Sequence, residues 1–78
     1  VSKPRLFCIH ENVPNVLGSI TSAVAGFGLN ISDLVNRSRG NIAVSVVDLD
    51  EAPSEKREAL TQAVKNIAGM KRVRLLGV

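Results

Sequence analysis

Two periods alternate along the chain. From Arg5 to Ile9 the residues are mostly apolar, bounded by Pro4 on one side and by the polar His10-Glu11-Asn12 on the other. A short run of this kind predicts a buried strand followed by a turn. Pro14 then suits the first position of a helix, where its missing N–H is no loss. Val16, Leu17, Ile20, Val24 and Phe27, with Ala23 beside them, recur in steps of three and four and define one face of that helix. Gly26 and Gly28 end it, because glycine takes up the left-handed conformation that closes helices.

The period then returns to two. Leu29 to Asn36 predicts a second strand, Arg37 to Asn41 a polar turn containing Gly40, and Ile42 to Leu49 a third strand rich in β-branched residues. A connection this short joins antiparallel neighbours. Asp50 to Ser54 is a turn around Pro53. Leu60, Ala63, Val64 and Ile67 mark a second amphipathic helix, stopped by Gly69, and Val73 and Leu75 alternate with Arg72 and Arg74 in a last strand. The order β-α-β-β-α-β predicts an α+β, ferredoxin-like fold: a four-stranded antiparallel sheet with two helices on one face. Each β-α-β half is a crossover, so strands one and three take the centre and strands two and four the edges.

Composition narrows the function. With 78 residues the chain holds one core, and with 45% apolar residues it is not a disordered tail. The net charge of +3 comes from scattered basic residues, of which only Lys71-Arg72-Val73-Arg74 form a cluster. The aromatic residues are Phe7 and Phe27, both with apolar neighbours typical of a core. Single-strand binders display stacking rings, so no nucleic acid is expected. One Cys and one His cannot make a structural zinc site, and no metal is expected. Cys8, within an apolar run, reads as a buried structural thiol. Neither a signal peptide nor an apolar run of membrane-spanning length is visible, so the expected compartment is the cytoplasm, with no membrane partner.

No catalytic residues are recognisable. Gly26-Phe27-Gly28 ends a helix instead of opening one, which makes it a poor dinucleotide fingerprint. Asp48, Asp50 and Glu51 cluster where the third strand ends, in a spacing that matches no calcium loop. The informative segment is His10-Glu11-Asn12-Val13-Pro14-Asn15-Val16-Leu17, which leads into the first helix. A helix start leaves backbone N–H groups unpaired, and its dipole favours an anion such as a carboxylate. Asn12 can donate and accept, as a zwitterionic amino acid requires, or it can cap the helix. His10 can meet a ligand hydroxyl or stand as an ordinary strand-end histidine, and Asn30 after Gly28-Leu29 can equally belong to a turn.

The pattern His10-Glu11-Asn12-x-Pro14-x-Val16-Leu17, followed about one helix later by Gly28-Leu29-Asn30-Ile31, resembles the ACT domains at the C-terminus of D-3-phosphoglycerate dehydrogenases. Val46-Val47-Asp48-Leu49 and Arg72-Val73-Arg74-Leu75-Leu76 extend the resemblance over nearly the whole chain. It implies that residues 1–78 are a single regulatory domain, a C-terminal fragment of a longer NAD-dependent enzyme of serine biosynthesis. The fragment itself would hold no cofactor. It also implies L-serine, or another small amino acid, as ligand and allosteric inhibitor. His10 and Asn12 of one chain would hold it, with the backbone of Val13, Asn15 and Val16 at the helix start, and Asn30 would reach it from the partner chain. The two chains would form a homodimer by pairing the edge strand 29–36 with its own copy. Asn15 stands where the family has glycine, which leaves open an oligomerisation domain of the same fold with a different ligand or none.

Overall fold

The computed structural model describes residues 3–77. Its elements are β1 (Arg5–Glu11), α1 (Pro14–Gly26), β2 (Ile31–Arg39), β3 (Ile42–Leu49), α2 (Ser54–Lys65) and β4 (Met70–Leu76). All four strands pair antiparallel in one sheet of order β2-β3-β1-β4, so the fold is the expected ferredoxin-like one.

Alternation along the central strands decides which face is covered. Leu6 and Cys8 of β1 and Val47 and Leu49 of β3 share no surface with solvent. They pack in one cluster with Val16, Ile20 and Val24 of α1 and with Leu60 and Val64 of α2. The four-residue spacing of these helical positions gives each helix a single inward stripe. Residues of the opposite phase, among them Phe7, Ile9, Val44 and Val46, lie on a sheet face that neither helix touches.

Both helix ends have local causes. Pro14 opens α1, and Gly28, at φ 74°, closes it. The Leu29 N–H donates to the Val24 carbonyl at 3.3 Å and the Gly28 N–H to the Ala25 carbonyl at 2.9 Å. This paired closure needs a left-handed residue, hence the glycine. The Lys56 ammonium of α2 donates to the Phe27 carbonyl at 2.9 Å and sets a cation at the negative end of α1. Glu55 in the first turn of α2 and Lys65 in its last complement that helix's own dipole.

Four expectations need correction. β1 does not end at Ile9: His10 and Glu11 continue it, opposite Ala43 and Ile42. β2 is Ile31–Arg39, not Leu29–Asn36. Its polar end stays in the ladder because an edge strand tolerates solvated side chains, and the turn shrinks to Gly40-Asn41, with Gly40 at φ 60°. Ser54 belongs to α2 instead of the preceding turn. Phe27 packs against the core, but Phe7 does not, because it points to the uncovered face. Among the described residues no helix is long and apolar enough to cross a membrane.

Candidate functional site

Three elements meet where β1 runs into α1. His10 is in phase with Leu6 and Cys8, so its ring points under the helices and is 2% exposed. Its Nδ1 lies 2.8 Å from the Glu11 carbonyl oxygen and its Nε2 lies 2.8 Å from the Ser45 hydroxyl. A carbonyl only accepts, so Nδ1 carries a proton. In the neutral ring Nε2 then accepts from Ser45. A protonated ring donates from both nitrogens and turns the Ser45 hydroxyl toward Asn36 Oδ1, 3.2 Å away. His10, Ser45 and Asn36 thus form a polar row across β1, β3 and β2, which satisfies the buried imidazole.

Asn12 does not cap α1. The cap position is Val13, in extended backbone with φ −130°, and no side chain closes the helix start. The Asn12 amide instead donates to the Gly40 carbonyl at 3.0 Å, and its backbone N–H to the Asn41 carbonyl at 2.9 Å. These two bonds fasten the β1–α1 loop to the β2–β3 turn. The Val13 N–H donates to the Glu11 carbonyl at 3.0 Å and the Val16 N–H to the Val13 carbonyl at 3.3 Å. Asn15, exposed in the first turn, makes no backbone bond through its N–H among the described residues. The first turn of α1 holds no acidic residue, so its positive end is not neutralised locally.

Beside this helix start lies a cleft of about 380 Å³ lined by Glu11, Asn12, Val13, Asn41 and Lys71. Lys71 and Glu11 approach to 3.9 Å across it, both half-exposed. Gly69, at φ 92°, lets the chain pass close by. A Cβ there would meet Val16 at 3.1 Å and Glu11 at 3.4 Å.

Asn30 lies elsewhere. Its carbonyl accepts the Asp50 N–H at 3.0 Å, and its exposed side chain has no hydrogen-bond partner among the described residues. It precedes Ile31, which pairs with Leu49, whereas Glu11 pairs with Ile42. Seven strand residues at about 3.3 Å each put Asn30 roughly 20 Å from the Asn12 end. A single chain sets His10 and Asn12 at the same end of the sheet, the ring buried and the amide at the cleft, and leaves Asn30 at the other end.

Two carboxylates of the acidic cluster at the end of β3 are otherwise engaged. Asp48 accepts from Arg5 at 2.6 and 3.1 Å, and Asp50 faces Lys3 at 3.5 Å. The Arg5 guanidinium holds the Asp48 carboxyl below its ordinary range. No metal-type cluster of three side chains occurs among the described residues. Burial pushes the Cys8 thiol up to about 12.

Ser45 and Asn36 were not anticipated, although the signal was present. Ser45 interrupts the inward apolar phase Ala43, Val47, Leu49, and His10 does the same after Leu6 and Cys8. Two polar residues at inward positions of adjacent strands are natural partners.

No protein-family model matches the chain. The solved ACT domain from GTP pyrophosphokinase of Chlorobium tepidum superimposes with a TM-score of 0.81 at 17% identity, covering 96% of this chain and 97% of that one. The chain has the fold of an ACT domain. The regulatory subunit of aspartate kinase from Thermus thermophilus, in its ligand-free form, gives a TM-score of 0.72 at 11% identity over 97% of this chain and 51% of that one. In sequence, the chain is similar to D-3-phosphoglycerate dehydrogenase of Escherichia coli (strain K12), 38% identical over 72 residues. That match covers 92% of this chain and 17% of the dehydrogenase. The Shigella flexneri enzyme gives the same figures.

Proposed function

We propose that this ACT domain is the regulatory domain of a D-3-phosphoglycerate dehydrogenase and that it binds L-serine between two copies of itself as a feedback inhibitor. The sequence similarity, spread over 92% of the chain, supports the parent enzyme. The observation that carries the interface site is the placement of Asn12 and Asn30 at opposite ends of the fold. Two-fold pairing of β2 with its copy runs the strands antiparallel and sets each Asn30 toward the other chain's α1 start, giving two equivalent sites. β2 is suited to this, since Leu34 is its one half-buried residue and the rest are exposed.

In this reading the serine carboxylate docks at the uncapped start of α1, near the free Asn15 N–H, and Asn12 and the partner's Asn30 hold the polar groups of the ligand. His10, with both ring nitrogens engaged, shapes the site's wall from below; direct contact with the ligand requires release of one of those bonds. Serine inhibits to the extent that it binds one arrangement of the two domains more tightly than the other. The parent would oxidise 3-phosphoglycerate with NAD in the cytoplasm, using residues outside this chain, which spans about a sixth of its relatives' length.

Calorimetric titration with L-serine, D-serine and glycine, with the solution mass measured alongside, tests the proposal. Selective L-serine binding by a dimer, lost in Asn12→Ala and in Asn30→Ala, is the expected result. A stable dimer that ignores L-serine would overturn it in favour of an oligomerisation domain with another ligand or none. Asn15, exposed in the first turn, is the feature that favours that second reading.

A further inference from the structure

The uncovered face of the sheet has an ordered layout. Read across β2, β3, β1 and β4, one row is Arg37, Val44, Ile9, Arg72 and the next is Val35, Val46, Phe7, Arg74. Arg39 and Ile42 continue the pattern toward the β2–β3 turn. The two central strands therefore present an apolar strip, and both edge strands carry arginines beside it. Val35 is 41% exposed and Ile42 39%. A contiguous apolar patch with a polar rim marks an interaction surface.

The rim carries unbalanced charge. Arg37, Arg39, Arg72 and Arg74 make no ion pair and no side-chain hydrogen bond among the described residues. The acidic residues of this face stand at its ends: Asp33 and Asp48 lie beside Arg5 at one, with Asp48 held by it, and Glu11 lies near Lys71 at the other. The dimensions are also informative. Three strand spacings of about 4.8 Å separate β2 from β4 by roughly 14 Å, and a helix with its side chains is about 10–12 Å across.

We infer that the uncovered sheet face docks an acidic amphipathic helix of another protein segment, its apolar stripe on Phe7, Ile9, Val44 and Val46 and its carboxylates toward the arginines of both edge strands. From Ile42 to Val46 the strip runs about 13 Å, which matches roughly nine helical residues. The flanking carboxylates meet guanidiniums that have no other partner among the described residues, and such pairs fix orientation and raise the association rate. A second copy of this chain fits less well, since it would set the same four free arginines against their own kind. Single-stranded RNA would satisfy the charge, but Phe7 is the only ring on the face and aliphatic side chains do not stack bases. The inference is independent of serine binding and of pairing through β2, because each chain keeps its own strip between its own β2 and β4.

The test uses the 78-residue chain and a synthetic 14-residue helical peptide with leucines on one face and glutamates on both flanks, followed by fluorescence anisotropy. Controls are a scrambled peptide of the same composition and an oligouridylate. The amphipathic peptide is expected to bind at least about tenfold more tightly than the scramble. Arg72→Glu/Arg74→Glu, at two exposed positions of β4 that leave the core and the β2 edge untouched, should weaken binding roughly tenfold or more. The same variant should bind a lysine-flanked peptide in preference to the glutamate-flanked one. Equal binding of the amphipathic and scrambled peptides, or tighter binding of the oligouridylate, overturns the inference. So does a dimer that Arg72→Glu/Arg74→Glu dissociates.

Discussion

The two faces of the sheet are built from the same strands and by the same alternation, yet they obey different rules. The inner face excludes solvent completely at Leu6, Cys8, Val47 and Leu49. The outer face carries β-branched and aromatic residues of similar size, with Val35 and Ile42 more than a third exposed. What separates them is the partner. Two helices cover one side, and nothing among the described residues covers the other. Apolar character alone therefore does not say that a residue is core; the phase of the strand relative to the helices does.

Truncations on the two faces should break or confirm that contrast. Leu6→Ala on the inner face is expected to destabilise the domain by about 2–5 kcal/mol through lost burial and a residual cavity. Val46→Ala, one strand over on the outer face, should cost about 1 kcal/mol, because its side chain keeps part of its surface in water and its removal leaves no enclosed cavity. Urea unfolding of both variants measures the difference, and equal losses would mean that the outer face is covered in solution. A smaller effect is expected inside the inner face. Ser45→Ala leaves a nitrogen of the buried His10 without its partner and should cost about 1–3 kcal/mol, whereas Ser45→Thr keeps the hydroxyl and should recover part of that.

Gly28→Ala touches neither face and probes the helix closure between them. With φ at 74° it should lose about 1 kcal/mol in the same assay. The smallest effect belongs to the outer-face ion pair. Asp48 is held below its ordinary value by Arg5, so its contribution is present above about pH 4 and fades as the pH falls through its folded-state value. Asp48→Asn should therefore be slightly less stable than the parent at neutral pH and equal to it in strong acid. A gap that persisted in strong acid would assign the loss to packing instead of charge.

Much of the fold was legible from period and punctuation. Ile42 to Leu49 was bounded correctly because β-branched alternation lay between a glycine-containing turn and Asp50. Strand ends were less legible where polarity and pairing disagree. His10 and Glu11 look like a turn in sequence, but a histidine that finds Ser45 under a helix can stay in the strand. Arg37, Ser38 and Arg39 look like a turn as well, yet they cost nothing in a strand whose side chains face water. Phe7 was misplaced because a short apolar run fills both phases of a central strand, and neighbours in sequence then point to opposite faces. For the candidate site, the neighbourhood of His10 and Asn12 followed from their place before Pro14. The fastening of Asn12 to the β2–β3 turn did not, because Gly40 and Asn12 are brought together only by the register of β1 on β3.

Cys8, the sole thiol of the chain, lies at the centre of the inner face with no exposed surface. A disulfide reagent in solution reaches it only after sheet and helices part, and it attacks the thiolate, which burial makes scarce in the closed molecule. The chain thus contains its own clock. The rate at which this one sulfur is labelled counts opening events of the core, and it should slow whenever anything bound at either face or at the β2 edge holds the domain shut.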